Sequence, residues 1–169
     1  WFTRLRLHSK LAVIMTLFLI TAGTVFILFA EYHNPDTIGG MSLGEKIQAS
    51  VFQSVTTRTA GFYTVSQEAL HEESKLFCAL LMFIGGSPGG TAGGVKTTTF
   101  AMLIIACITF IRGGNDTECM GRRISAANFQ TGFCVVMVAF AVFITGTIAI
   151  LVIEPDSIPM VDVIYEAAS

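Results

Sequence analysis

Met82-Phe83-Ile84-Gly85-Gly86-Ser87-Pro88-Gly89-Gly90-Thr91-Ala92-Gly93-Gly94-Val95-Lys96-Thr97-Thr98-Thr99-Phe100 lies inside an apolar stretch, Phe77–Ile111, of 35 residues. As one helix that stretch would reach ~52 Å, well past the ~30 Å hydrocarbon core of a bilayer. Gly85–Gly94 holds six Gly and one Pro. In a helix each Gly costs ~1 kcal/mol relative to Ala, and Pro ~3. The stretch therefore predicts two half-helices, Phe77–Ile84 and Thr97–Ile111, joined by irregular backbone. Such backbone is tolerated at membrane depth only where it meets protein or a water-filled cavity. Glycine at this density predicts a segment that moves or that other backbone approaches closely. A phosphate loop is the competing reading, but it needs Gly directly before Lys, and Val95 separates Gly94 from Lys96. An apolar helix, not a strand, also precedes the loop.

The rest of the chain has the same solvent preference. Of 169 residues, 53% are hydrophobic and 13% charged, and the mean hydropathy is +0.69. Soluble domains carry about 25% charge, so a disordered chain and a soluble enzyme are disfavoured. A net charge of -2 excludes a basic nucleic-acid binder. The four Cys (Cys78, Cys107, Cys119, Cys134) form no CxxC pair, and three lie in apolar runs as small hydrophobes.

Leu11–Ala30 has no charge, is long enough to span, and is too long for a signal-peptide core. Ile124–Ile153 is a second charge-free stretch. Of the 22 charged residues, only Lys96 falls within these three stretches. An intramembrane charge is a functional candidate, with snorkelling toward the cytoplasmic face as its alternative. Trp1–Lys10 and Arg112–Arg123 carry the excess of Arg and Lys, whereas Glu31–Leu76 and the tail after Ile153 are acidic. The positive-inside rule places the two basic segments in the cytoplasm, with three crossings.

About 45 residues separate the first two apolar stretches, too many for a simple turn. Within them, Gly44–Val55 predicts a short helix capped by Ser42 with Glu45 three residues on. Ile47, Val51, Phe52 and Val55 share one side of it. Thr56–Phe62 (TTRTAGF) follows as a hydroxyl-rich extended stretch. Glu68–Lys75 then starts the next helix. Span, short helix, Thr/Gly-rich strand and span make a re-entrant pore-loop pattern, in which an extended segment points carbonyls at a dehydrated cation. Gly61 allows the positive φ that turns a carbonyl inward. A Thr-rich extracellular loop is the alternative, and pattern alone leaves the two balanced.

FQSVTTRTAGF (Phe52–Phe62) together with MFIGGSPGGTAGGVKTTTF (Met82–Phe100) resembles the potassium transporter superfamily of Ktr, Trk and plant HKT proteins. The resemblance covers essentially the whole chain and is nearest to Ktr-type membrane subunits. It implies an all-α membrane protein built from M1–pore helix–filter–M2 repeats, with a Gly-broken M2. Residues 1–112 correspond to a third repeat: M1 at 11–30, pore helix at 44–55, filter at 56–62 and broken M2 at 77–111 with its loop at 85–96. Residues 113–123 form a cytoplasmic loop, and 124–169 a fourth M1 and the start of a fourth pore helix, Val161–Ser169. The chain is then expected to be a fragment of a longer subunit. The implied filter residues are Thr57, Thr59, Ala60, Gly61 and Phe62. Backbone carbonyls of Thr59, Ala60 and Gly61 would bind potassium, with sodium as the alternative ion. Gly85, Gly86, Ser87, Gly89, Gly90, Thr91, Gly93, Gly94 and Lys96 would form the gating loop. The implied partners are the other repeats, a second full-length subunit in a homodimer, and a cytoplasmic nucleotide-binding regulatory ring.

In that arrangement Arg58 would brace the filter from behind or sit near the outer mouth, because like charge forbids it to coordinate a cation. A membrane enzyme would need clustered His, Cys, Asp or Glu at membrane depth. His8, His33 and His71 lie far apart and no carboxylate sits in an apolar stretch. The expectation is therefore no enzyme and no cofactor, but a multi-pass plasma-membrane protein with a potassium transport role. A non-conducting assembly subunit is the rival from another class. It would not need a half-length helix followed by TTRTAGF.

Overall fold

The structure is a computed structural model that describes residues 6–58, 61–89, 93–113, 118–119, 122–123, 126–153 and 158–169. It is helical: α1 (Leu7–Ala30), α2 (Leu43–Thr56), α3 (Glu72–Phe83), α4 (Thr97–Ile111), α5 (Ala126–Ile153) and α6 (Met160–Ala168). The all-α expectation holds for the body of the fold. Between α4 and α5, β1 (Glu118–Cys119) and β2 (Arg122–Arg123) pair antiparallel, Glu118 opposite Arg123. This ladder of two residues per strand is an addition that charge counting cannot reveal.

α1 and the segment Phe129–Ile153 of α5 are long and apolar enough to cross a membrane. α1 is 24 residues long, about 36 Å of helix. Many of their apolar side chains face outward: Phe29 is 77% and Val142 67% exposed. A core helix of a water-soluble domain would hide them, whereas lipid or further membrane helices solvate them equally well.

α1 runs along the broken helix as though it were one span. Leu11 packs on Ala101 of α4, and Leu19 packs on Leu81 and Ile84 at the end of α3. Phe26 stacks on Phe77 with ring centroids 4.0 Å apart. α5 covers the other side, where Phe140 and Phe143 meet Phe83 and Phe129 meets Phe110. The first half-helix starts at Glu72, ahead of the apolar stretch. Glu72 and Glu73 occupy its first turn, where carboxylates complement the helix dipole. Glu68 lies in the turn before it.

α2 packs against α1 with its polar side. Lys46, Ser50, Gln53 and Ser54 are buried, while Ile47, Val51, Phe52 and Val55 are exposed. Ser54 Oγ donates to the Ile20 carbonyl at 2.9 Å, and a Cβ on Gly23 would come within 2.3 Å of Ser54 Oγ. Two small residues thus let the backbones meet, a packing mode of membrane helices. The capping box forms: the Glu45 carboxylate accepts from Ser42 N–H and Oγ–H at 2.8 Å each. The backbone N–H of Ser42 is the main cause that holds the Glu45 carboxyl below the usual range.

Candidate functional site

α2 runs one residue further than its apolar residues suggest, to Thr56. Thr56 is still helical, and Thr57 keeps right-handed helical dihedrals (φ -61, ψ -6). Thr57 N–H donates to Gln53 O at 3.3 Å, Thr57 Oγ1 to Ser54 O at 2.9 Å, and Arg58 N–H to Val55 O at 3.0 Å. Residues 56–58 are therefore a helix end and not an extended strand, because the terminal carbonyls need donors. Thr59 and Ala60 lie outside the described residues. Gly61 has φ +75, a left-handed conformation that disfavours a side chain. Thr56 Oγ1 donates to Phe62 O across the loop. Phe62 and Tyr63 are 74% and 70% exposed. Arg58 is half-buried at the helix end.

The Gly-rich break is tied to itself and to α1. Val95 N–H donates to Phe83 O at 2.9 Å, and Thr97 N–H to Gly86 O at 3.2 Å. A Cβ on Gly85 would lie 1.7 Å from Gly93 O. Gly94, at φ +69, would meet both Met82 O and Phe83 O at 2.8 Å. Gly89 also has positive φ (+95), but a Cβ there would meet no atom of the described residues within 4 Å. Thr16 Oγ1 of α1 and Ser87 Oγ are 2.8 Å apart. Lys96 is half-buried at the N-cap of α4. Gly90 and Thr91 lie outside the described residues.

These two regions meet in one cavity of about 550 Å³. Thr56, Thr57 and Gly61 line one side, and Gly93 and Gly94 another. α5 closes it with Ala139, Val142, Phe143 and Gly146, and the end of α6 with Ala167, Ala168 and Ser169. No ionisable side chain is among these lining residues. A cation there would be met by carbonyl and hydroxyl oxygens, ligands that suit hard cations without fixing a proton. Phe62, Gly85, Gly86, Ser87, Gly89 and Lys96 do not line this cavity. Gly85 and Gly86 are instead buried in the neck of the break. Sequence reasoning missed the α5 wall. Its only signal was small residues, Ala139 and Gly146, seven apart on one helix face.

A sequence profile described as TrkH, cation transport protein, matches residues 2–169. The chain belongs to the TrkH family. It is 35% identical over 170 residues to the Ktr system potassium uptake protein B of Bacillus subtilis, covering 99% of this chain and 37% of that protein. It is 31% identical over 153 residues to the protein of the same name from Vibrio alginolyticus, covering 90% and 34%. Against the potassium/sodium uptake protein NtpJ of Enterococcus hirae it is 30% identical over 151 residues, covering 89% and 33%. The chain thus spans about a third of the length of these relatives.

This TrkH-family chain has a further polar cluster where α1 ends. Glu31 is 0% exposed. Its carboxylate accepts from Asn34 Nδ2 at 2.6 Å, Thr37 Oγ1 at 2.8 Å and the His71 backbone N–H at 2.9 Å. Burial alone would raise its pKa, but Ser74 first, then Asn34, the His71 N–H and Thr37, outweigh it and hold the carboxyl below the usual range. Asn34 Nδ2 also reaches Ala69 O at 2.8 Å, and Lys46 Nζ binds Tyr32 O at 2.7 Å. The cluster fastens the loop after α1 to the start of α3. Glu31 was the first acid after an apolar run, a position that sequence alone reads as solvated. Among the described residues, no group of three or more His, Cys, Asp or Glu could hold a metal.

Proposed function

We propose that the chain belongs to the pore-forming subunit of a Ktr-type uptake system that moves potassium across the plasma membrane. The observation that carries this reading is the shared cavity: Thr57 and Gly61 border the same space as Gly93 and Gly94. In this reading residues 1–112 are the third pore repeat, 113–123 a cytoplasmic loop, and 124–169 the fourth M1 with the start of its pore helix. Backbone oxygens of Thr57, Thr59, Ala60, Gly61 and Phe62 form one quarter of a filter, and those of Thr59, Ala60 and Gly61 replace some of the hydration shell of the ion. The Gly-rich loop, residues 85–96, obstructs the path below the filter. It moves when a cytoplasmic nucleotide-binding ring engages the subunit. The other repeats complete the pore, and two subunits pair in the membrane. Neither enzymatic chemistry nor a cofactor is involved; potassium is the transported ion.

The test is Gly61→Ser in the intact subunit, with uptake measured over a range of potassium and sodium concentrations. Weaker potassium affinity or a lower preference over sodium is expected. Wild-type kinetics and ion preference would overturn the filter assignment. Shortening the loop between Gly86 and Gly93 is expected to raise uptake and loosen its control. Loss of uptake with normal membrane insertion would make that loop structural. A sodium-permeable or sodium-coupled transporter is the second reading, favoured by the likeness to the potassium/sodium uptake protein of Enterococcus hirae. The same uptake measurement separates the two.

A further inference from the structure

Behind the Gly61 loop, three side chains from three regions of the chain meet. Gln53 on α2 is 1% exposed. Its Nε2 donates to Gln67 Oε1 at 2.6 Å, and Gln67 Nε2 donates back to Gln53 Oε1 at 3.2 Å. Gln67 Nε2 also donates to Val65 O at 2.7 Å, and Tyr165 OH of α6 donates to Gln67 Oε1 at 2.5 Å. A glutamine amide offers two lone pairs and two hydrogens. All four of Gln67's are used, so its position and its orientation are fixed together.

The placement gives the cluster its meaning. Gln53 sits one turn before Thr57, and Gln67 sits six residues after Gly61. Their amide pair therefore closes the base of the loop that carries Gly61. Tyr165 fastens that base to α6, which is held a second time by Lys75 Nζ on Asp162 Oδ1 at 2.5 Å. A partly buried network of this kind is costly to leave half-made, because each missing partner strands a polar group away from water.

We infer that Gln53, Gln67 and Tyr165 are positioning residues that hold the Gly61 loop in register with α6 and so set the ion preference of the pore. The inference rests on the reading of Gly61 as a filter residue. Where carbonyl oxygens replace a hydration shell, their spacing or their number and field decide which ion is favoured. In either case, a loop whose base shifts changes the preference. None of the three side chains needs to touch the ion. α6 belongs to the segment read as the next repeat, so the bridge also passes strain between neighbouring quarters of the filter.

The experiment compares Tyr165→Phe, Gln67→Glu and Gly61→Ser in the intact subunit. It reads potassium-over-sodium preference, apparent potassium affinity and the amount of subunit in the membrane. Tyr165→Phe keeps the ring and removes one hydroxyl, so about a five-fold fall in preference is expected, the size of one lost hydrogen bond. Gln67→Glu still accepts from Tyr165 and Gln53 but cannot donate to Gln53 Oε1 or Val65 O, so a larger fall is expected. If both bridge variants keep the wild-type preference while Gly61→Ser shifts it, the bridge is only structural and the inference fails. If Gly61→Ser also leaves preference unchanged, the filter reading itself fails. Bridge variants that lower only the amount of membrane protein, at wild-type preference, count against the inference as well.

Discussion

Gly61 and Gly85 are both glycines in irregular backbone, yet they are glycine for opposite reasons. At Gly61 a Cβ would meet no atom of the described residues within 4 Å, and the backbone stands at φ +75. At Gly85 the backbone is not in the positive-φ region, but a Cβ would lie 1.7 Å from Gly93 O. The first position needs a conformation, the second a lack of volume. Gly94 needs both, with φ +69 and three backbone atoms closer than 3 Å to a Cβ. Identical letters thus encode a turn at one place and a close backbone crossing at another. The first can be satisfied by another residue that tolerates positive φ, whereas the second cannot.

Substitutions can break this distinction, and the largest effect is expected at the crossing. Gly85→Ala must push a pair of backbone segments away from each other and is expected to cost more than about 3 kcal/mol, beyond the usual range for single changes. The check is the yield of monodisperse subunit and its heat resistance in detergent; a wild-type yield would refute the crossing. Gly94→Ala combines strain with collision and is expected to destabilise by about 3 kcal/mol, read in the same assay. Gly61→Ala carries only the conformational cost, about 1–2 kcal/mol. Gly61→Asn should recover some of that loss, because Asn visits the left-handed region more readily. Equal losses for Ala and Asn would show that volume, not φ, decides the site. The smallest change is Gly44→Ala on α2, where a Cβ meets nothing. Helix propensity predicts a gain of up to about 1 kcal/mol, visible as a small rise in thermal midpoint.

The same contrast explains what the residues alone reveal. The break at Gly85–Gly94 and the Ser42–Glu45 cap were legible, because Gly, Pro and a capping pair act over a few residues. The two long apolar spans were legible from length. The orientation of α2 was not. Periodicity tells which residues share a side, and Ile47, Val51, Phe52 and Val55 do. It does not tell which side is inside when the solvent can be lipid, and here the polar side with Gln53 and Ser54 packs inward. Thr57 was read as extended because TTRTAGF is rich in hydroxyl residues and runs into Gly61, but the carbonyls of Gln53 and Ser54 draw it into a last turn. Glu31 with His71, and Gln67 with Tyr165, pair across 40 and 98 residues. Nothing in a local pattern foretells contacts at that separation. The roles of Thr59, Ala60, Gly90 and Thr91 remain with the resemblance, since they fall outside the described residues.

The neck of the Gly-rich break has a consequence for how such a chain can change over time. Phe83 is bonded to Val95, and Gly86 to Thr97, so the chain leaves α3 and enters α4 at almost the same point. That knot fixes where α4 starts relative to α3, and the Thr16–Ser87 contact adds a tie to α1. Closing a loop costs free energy that grows only with the logarithm of its length. Residues can therefore be gained or lost between Gly86 and Gly93 while both half-helices keep their neighbours. Natural variation can tune the length of the insert as an independent dial, separate from the frame that carries it.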